Sequence, residues 1–205
     1  STVRSAMDTD PHLSIETLPL DLTRLSSVRK AASLLKDELH SAQASSKGLD
    51  IFLLNAAVAK SSRETVMDDD RASGSVDYAP DHLVSGDNRI ETTACANHVA
   101  HLLLISSLVP TIVDNAKKGR KTRIVFTGSA LHRSVKDTAD LDNLFSSSSN
   151  HSSFDSSTHW TLRESYAASK FLQMLGVRAF RRRLEAALES ASVPTGKVEV
   201  VVVQP

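Results

Sequence analysis

The chain has 205 residues, of which 24 are Lys or Arg and 24 are Asp or Glu, and 40% of its residues are hydrophobic. This length and composition suit one folded domain, residues 1–205, and exclude a disordered or fibrous chain. The formal net charge of zero excludes a global field that would draw the chain to nucleic acid or to an anionic membrane.

The first half of the chain predicts one helix and one buried strand after an extended start. Residues 13–20 are expected to be mostly extended and to form the first strand, because Pro19 disfavours a helix. Apolar residues in 25–39 recur at spacings of three and four, which is the period of an amphipathic helix. The apolar run 49–54 predicts a buried strand, and the polar residues 60–85 predict a long loop.

The second half of the chain predicts two more helices, each followed by a strand. A helix is expected from about residue 90 to residue 116, followed by a strand over 123–127. Residues 146–157 contain eight Ser in twelve positions, which predicts a mobile surface loop because almost no apolar area is available to bury. A long helix over 162–191 and a Val-rich strand over 197–203 complete the series.

This alternation of strands and helices is typical of βαβ units, so we expect an α/β fold with a parallel sheet. Right-handed crossovers would leave helices on both faces of that sheet. In open sheets of this kind, ligands bind beyond the carboxyl ends of the strands. The residues expected at that edge are Asp21, Asn55, Ser129, Gln204 and Pro205.

Disulfide, membrane-spanning and metal-binding features are not predicted. Cys95 is the single cysteine, which excludes an intrachain disulfide and favours a reducing, cytoplasmic compartment. No apolar run approaches the roughly 20 residues that cross a bilayer. His98 and His101 stand three residues apart, but neither cysteine nor carboxylate accompanies them at a metal-ligand spacing.

Tyr166 and Lys170 form the sharpest pair of chemistry-bearing residues. Their spacing of four places both side chains on one face of the last predicted helix. An ammonium within about 4–6 Å favours the phenolate form of a tyrosine, and this would suit acid–base chemistry. The same spacing also fits an ordinary core tyrosine with a surface lysine.

Four other polar residues stand where a ligand could meet them. Ser129 follows a strand, so its hydroxyl could bind a substrate oxygen or could simply belong to a turn. Asn97 lies inside a predicted helix, where Asn is mildly unfavourable and needs a polar partner. Asn55 precedes small residues, beginning with Ala56, that allow close approach of a ligand to the backbone. Asp21 could cap the next helix or accept a hydrogen bond from the amino group of a base.

Taken together, five motifs resemble the short-chain dehydrogenase/reductase family in order and spacing. They are Leu20-Asp21-Leu22, Leu54-Asn55-Ala56-Ala57, Asn97-His98-Val99-Ala100-His101, Thr127-Gly128-Ser129, and Tyr166 with Lys170. Val203-Gln204-Pro205 is similar to the start of the turn that closes over the nicotinamide. The match runs from about residue 18 to residue 205. It implies a Rossmann-type, doubly wound parallel sheet and NADP- or NAD-dependent interconversion of an alcohol with a ketone or aldehyde.

The resemblance also implies a role for each catalytic residue. Tyr166 would exchange the proton with the substrate oxygen, Lys170 would support it and hold the nicotinamide ribose, and Ser129 would position the carbonyl oxygen. Asn97 would anchor a water that relays protons through Lys170. The residues expected to bind the cofactor are Asp21, Leu22, Asn55, Ala56, Tyr166, Lys170 and Pro205, with Asp21 and Leu22 at the adenine.

Within the family, two branches share features with this sequence. The histidine pair, His98 with His101, and the long segment between Ser129 and Tyr166 resemble the retinol-dehydrogenase and WW-domain-oxidoreductase-like branch. Asn-Ala-Ala and Val-Gln-Pro are similar to fungal 3-ketosteroid reductases. Either branch implies a small hydrophobic carbonyl or alcohol substrate, allows a homo-oligomer, and gives no role to nucleic acid.

One family motif has no counterpart in this sequence. The T-G-x-x-x-G-x-G loop that cradles the pyrophosphate should precede Asp21, yet residues 1–20 contain no Gly. We therefore expect an incomplete sheet without its first βαβ elements, in a chain truncated at both ends, whose missing termini leave membrane association open. The rival hypothesis is a non-catalytic Rossmann-like interaction protein or an inactive fragment.

Overall fold

A computed structural model describes residues 15–40, 48–67, 89–137, 141 and 161–204. The helices are α1 Leu25–His40, α2 Thr92–Ser107, α3 Val109–Lys117 and α4 Leu162–Ser190. The strands are β1 Ile51–Leu54, β2 Thr65–Met67, β3 Arg89–Glu91, β4 Thr122–Thr127 and β5 Val198–Val203. Two shorter elements are the π-helical turn Cys95–Val99 inside α2 and the 3₁₀ helix Ala130–Ser134.

The main sheet confirms the predicted α/β fold. Its strands lie in the order β1-β4-β5 and both pairings are parallel. In this register Leu54 lies beside Phe126, and Phe126 lies beside Val202. The three strands therefore end together, so the residues that follow them meet at one edge of the sheet.

The described helices cover one face of this sheet. Ile124 and Phe126 on that face are 0% exposed, and the Phe126 ring packs edge-on against Phe180 of α4 at 6.4 Å between centroids. On the opposite face Ile51 is 68% exposed and Leu53 is 61% exposed. Among the described residues, helices therefore lie on one face of the sheet only. The order β1-β4-β5 advances in a single direction, so successive right-handed crossovers return on the same side.

Two local expectations in the first half of the chain are wrong. Residues 15–20 form no strand and are exposed, because Pro19 lacks an amide hydrogen and no neighbouring described strand pairs with them. The predicted loop 60–85 contains β2, which pairs antiparallel with β3. A strand of three residues is too short to show a period in the sequence.

The helix expected over 90–116 is two helices. The Glu91 carboxylate begins α2 by accepting hydrogen bonds from the amides of Thr93 and Ala94, at 2.9 and 2.7 Å. The path bends by 44° between α2 and α3 at Leu108. Pro110 explains the break, since its ring clashes with the preceding turn and it has no amide hydrogen to donate.

The remaining predicted helices and strands are found within two residues of their expected ends. The Ser-rich segment 146–157 and Pro205 lie outside the described residues. Among the described helices, none alone has the length and apolar character to cross a bilayer, although α2 and α3 meet that test as a bent pair.

Candidate active site

The start of α4 sets the position of Tyr166 and Lys170. Thr161 caps this helix: its hydroxyl oxygen accepts from the Glu164 amide at 3.1 Å and its hydroxyl donates to the Glu164 carboxylate at 2.6 Å. A Thr and a Glu three residues apart are a sequence signature for a helix start. Tyr166 and Lys170 consequently occupy the first turns of the helix, beside the end of β4.

Lys170 is buried, so the alternative of a surface lysine at this position is wrong. Its side chain is 1% exposed, and its ammonium donates to the Thr127 carbonyl at 2.7 Å and to Gln173 Oε1 at 3.3 Å. The same nitrogen lies 5.8 Å from the centroid of the half-buried Tyr166 ring. Burial lowers the pKa of Lys170 below its ordinary value. The structure therefore brings the phenol and the ammonium together at the carboxyl end of β4.

Asn97 fastens three parts of the site to one another. It is 0% exposed and lies in the π-helical turn of α2. Its Oδ1 accepts from the Val58 amide at 2.8 Å, and its Nδ2 donates to the Val58 carbonyl at 2.8 Å and to Ser169 Oγ at 2.9 Å. Ser169 in turn donates to the Tyr166 carbonyl at 2.7 Å. The polar partner expected for a helical Asn is thus the segment after β1, together with α4.

Ser129 caps the 3₁₀ helix that follows β4. It is half-buried, and its Oγ accepts from the Leu131 amide at 3.3 Å. The Ser129 backbone carbonyl lies 2.6 Å from Nδ1 of His132. The 3₁₀ helix packs against α4, which carries Tyr166. The turn role and the substrate role expected for Ser129 are compatible, because capping uses its oxygen as an acceptor and leaves the hydroxyl hydrogen to donate.

Asn55 and Ala56 lie at the exposed end of β1. Asn55 Oδ1 accepts from the Thr127 hydroxyl at 2.8 Å, which ties the ends of β1 and β4 together. Ala56 and Ala57 are exposed beyond this bond. The backbone after β1 is consequently open to a ligand, as the small residues predict.

Asp21 and Leu22 lie just before α1 and make local contacts. The Asp21 carboxylate accepts from the Thr23 hydroxyl at 2.7 Å and from the Thr23 amide at 2.9 Å. These bonds, with the Arg24 charge, hold the pKa of Asp21 below its ordinary value. Leu22 packs against the main core, and its carbonyl accepts from Cys95 Sγ at 3.5 Å. Of the two interpretations offered for Asp21, the structure displays the one in which it stabilises the turn into α1.

A buried polar group that the sequence did not predict lies beside Lys170. Gln173 is 1% exposed, and its Nε2 donates to the Asn97 carbonyl at 3.1 Å and lies 3.4 Å from Nδ1 of His101. Burial lowers the pKa of His101 to about 4, helped by the Lys170 charge. Burial, with the neighbouring His101, lowers the pKa of His98 to about 4 as well. The only feature of the sequence that could have pointed to Gln173 is that a polar residue stands one turn after Lys170, on the same side of α4.

One further pocket lies away from these residues. A shallow pocket lined by Asp50, Arg120 and Lys197 lies at the amino ends of the strands, opposite the residues above. Within the described ranges, no three His, Cys, Asp or Glu side chains come close enough to hold a metal ion.

No family model matches the sequence, and no curated protein matches it. Solved structures do. A metagenomic short-chain oxidoreductase in complex with NADP is 15% identical, with a TM-score of 0.53, over 100% of this chain and 64% of that one. A short-chain dehydrogenase/reductase from Burkholderia phymatum in complex with NAD is 15% identical, with a TM-score of 0.51, over 100% of this chain and 50% of that one. An NADPH-bound carbonyl reductase from chicken fatty liver is 18% identical, with a TM-score of 0.49, over 100% of this chain and 62% of that one.

The chain thus spans between one half and two thirds of the length of these solved chains. The first two likenesses concern the fold. They show that the parallel sheet and its helices form an incomplete Rossmann-type α/β fold, shared with these short-chain oxidoreductases.

Proposed function

We propose that the full-length protein is a nicotinamide-dependent oxidoreductase of the short-chain dehydrogenase/reductase family, which interconverts an alcohol with a ketone or aldehyde. The observation that carries this proposal is the buried Lys170 ammonium, 5.8 Å from the Tyr166 ring and bonded to the end of β4. A charged ammonium is costly to bury, and buried ionisable groups cluster at functional sites, so its placement beside a phenol supports a functional role. Two neighbours of the same fold were crystallised with NADP and with NAD, which supports the choice of cofactor.

The described residues fit the nicotinamide end of such a cofactor. The exposed backbone at Asn55 and Ala56 offers donors and acceptors beside the end of β4, and Lys170 uses two of its three hydrogen-bond donors on protein atoms. A third donor remains for a ribose hydroxyl. For the adenine end the sequence offers Asp21 and Leu22. Residues 1–20 contain no Gly to cradle the pyrophosphate, so the proposal is that this chain supplies only part of a cofactor site.

The chemistry divides between the cofactor and the protein. The cofactor, when bound, supplies or accepts the hydride. During reduction the Tyr166 hydroxyl donates its proton to the carbonyl oxygen, while the Ser129 hydroxyl donates a hydrogen bond to the same oxygen. The Lys170 ammonium stabilises the phenolate that Tyr166 becomes once it has donated its proton, because opposite charges attract strongly at a site with little water. Asn97 holds the segment after β1 and the helix of Tyr166 in their mutual positions.

The finer assignments rest on the resemblance of the sequence motifs. NADP is the proposed cofactor, and a small hydrophobic carbonyl compound or alcohol is the proposed substrate. The retinol-dehydrogenase and WW-domain-oxidoreductase-like branch accounts for His98 and His101, and the fungal 3-ketosteroid reductases account for Asn55-Ala56-Ala57. A cytoplasmic location, a homo-oligomer and Pro205 at the nicotinamide stay predictions.

A second candidate is a Rossmann-like interaction protein without catalytic activity. The observation in its favour is the exposed apolar face of the sheet, where Ile51 and Leu53 are 68% and 61% exposed. Exposed apolar patches commonly mark interaction sites. The buried ammonium of Lys170 beside the half-buried Tyr166 argues against it, because an interaction protein has no need of an ammonium in its core.

The two candidates are distinguished by assaying the full-length protein for NADPH and NADH oxidation with a panel of apolar ketones and aldehydes. The enzyme hypothesis predicts carbonyl-dependent consumption of one reduced cofactor and formation of the matching alcohol. Absence of turnover with every carbonyl, combined with absence of cofactor binding by calorimetry, would favour the interaction protein.

A further inference from the structure

We propose that Gln173 is a positioning residue, whose side-chain amide bridges the Lys170 ammonium to the Asn97 carbonyl and so holds the ammonium at the end of β4. Gln173 Oε1 accepts from Lys170 Nζ at 3.3 Å, and Gln173 Nε2 donates to the Asn97 carbonyl at 3.1 Å. Any role of this bridge in turnover rests on the proposed function. The bridge itself does not.

The donors and acceptors around Gln173 determine the orientation of its side-chain amide. Lys170 can only donate, so it must face the amide oxygen, and the Asn97 carbonyl can only accept, so it must face the amide nitrogen. That nitrogen also lies 3.4 Å from Nδ1 of His101, which accepts its second hydrogen when the neutral ring carries its own proton on Nε2. The amide therefore has a partner for its oxygen and for both of its hydrogens. A side chain that is 1% exposed and fully paired has one favourable arrangement.

This arrangement changes the expectation for the proton path. The family resemblance implies a water that Asn97 anchors and that relays protons through Lys170, and in this structure the Gln173 amide joins Lys170 to the Asn97 carbonyl. The lone pair of an amide nitrogen is delocalised into its carbonyl, so the nitrogen does not take up one proton while it releases another, as a water molecule does. The bridge therefore orients the lysine and does not itself carry a proton. Asn97 belongs to a π-helical turn, an irregularity that often accompanies functional sites.

The effect of the bridge can be measured through the pKa of Lys170, because few groups around the ammonium favour its charged form. Tyr166 faces it from α4, and His101 faces it from α2 with His98 beside that ring; neither histidine supplies a negative charge. Burial already lowers the pKa of Lys170. The acceptors that keep the ammonium charged are the Thr127 carbonyl and Gln173 Oε1. Replacing Gln173 Oε1 by an apolar group or by a carboxylate must therefore change the pKa of Lys170.

The test is an NMR titration of the lysine side-chain carbons in full-length protein labelled on lysine, for the parent and two variants at position 173. Gln173→Met keeps the length of the side chain but cannot accept strongly, so the pKa of Lys170 should fall below that of the parent. Gln173→Glu places a carboxylate on the ammonium, so the pKa of Lys170 should rise. Thr111→Val, a buried polar replacement on α3, is the matched control and should leave it unchanged.

Opposite displacements in the two variants support the bridge, because a residue that merely fills space would move the titration in one direction or not at all. An unchanged Lys170 titration in both variants, or the same change in both, would overturn the proposal. Should Gln173→Met fail to fold, Gln173→Leu takes its place, because leucine also fills the site without an acceptor for Lys170 and the pKa of Lys170 should again fall.

A kinetic measurement separates this inference from the proposed function. If the parent reduces carbonyl compounds, Gln173→Met should raise the KM for the cofactor on the order of tenfold, the effect of one lost charge-assisted hydrogen bond. Normal cofactor KM in an active Gln173→Met variant would show that Lys170 needs no bridge for binding. If the parent has no activity, the proposed function fails, and the lysine titration still decides whether Gln173 positions Lys170.

Discussion

Asn97 holds both backbone polar groups of Val58, with its side-chain oxygen on the amide and its side-chain nitrogen on the carbonyl, each at 2.8 Å. The side-chain amide thus makes the two hydrogen bonds that the backbone of a neighbouring strand would otherwise make with the segment after β1. The pairing keeps the exposed residues after β1 beside α4, which carries Tyr166.

Asn97→Ala should therefore destabilise the fold. It leaves the Val58 amide and carbonyl without their partner and removes a bond to Ser169, so we expect the free energy of unfolding to fall by about 2–4 kcal/mol. Urea denaturation measures the loss. Asn115→Ala is the matched control, since Asn115 is also buried but its Nδ2 has no hydrogen-bond partner among the described residues. Equal losses in the two variants would contradict the role given to Asn97.

Gly176 lies on α4 where this helix packs closely against α2. A methyl group at this position would overlap the His98 ring and would lie 2.7 Å from Leu102 Cδ1. Gly176→Ala should thus lower the free energy of unfolding by about 1–3 kcal/mol, although alanine is the better helix former. Ala186→Gly, on the exposed side of the same helix, gives the ordinary propensity effect, a loss of about 1 kcal/mol. A stabilised Gly176→Ala variant would show that the two helices are further apart.

The two buried histidines predict a loss of stability in mild acid. In the folded protein the pKa values of His98 and His101 lie at about 4, whereas 6.5 is the ordinary value. Between these values the unfolded chain binds more protons than the folded one, so stability falls as the pH drops from 6.5 to 4. For one histidine the full effect corresponds to roughly 3 kcal/mol.

Urea denaturation above pH 6.5 and near pH 4 measures this dependence. His98→Leu removes one of the two groups, so its stability should change less over the same interval. A parent protein equally stable at both ends of the interval would contradict the burial of neutral histidines.

The sequence lacks a pyrophosphate cradle, which predicts weak cofactor binding by the 205-residue chain. Residues 1–20 contain no Gly, so the backbone cannot approach a pyrophosphate there as a glycine-rich loop does. Titration calorimetry of the 205-residue chain with NADPH should show weak binding or none. Micromolar affinity would mean that another part of the chain binds the phosphates.

Continuous apolar runs and clear helical periods made the main fold predictable. The strands β4 and β5 are buried or half-buried along most of their length, so their sequences are rich in apolar residues, and α4 begins at a Thr-x-x-Glu signature. The face of the sheet that the helices cover was not predictable, because it depends on the order of the strands in space. That order is decided by contacts between residues far apart in the chain, which no local sequence pattern reveals.

The candidate site was predictable to the same extent. Tyr166 and Lys170 are recognisable by their spacing along a helix, and Ser129 by its place at a strand end. Asn97 is recognisable because Asn is unfavourable inside a helix. Gln173 was missed because its partners Asn97 and His101 lie more than 70 residues away in the chain. Only the packing of α4 on α2 brings these groups together.

The central claim is that Tyr166 transfers a proton to the substrate oxygen, and Tyr166→Phe in the full-length protein tests it most directly. This change removes one hydroxyl and keeps the ring beside Lys170, so the fold and the cofactor affinity should be retained. A positioned acid–base group contributes about 10²–10⁴-fold to the rate, so kcat for carbonyl reduction should fall by at least about a hundredfold. Near-normal turnover by the Tyr166→Phe variant on a carbonyl compound that the parent reduces would contradict the account.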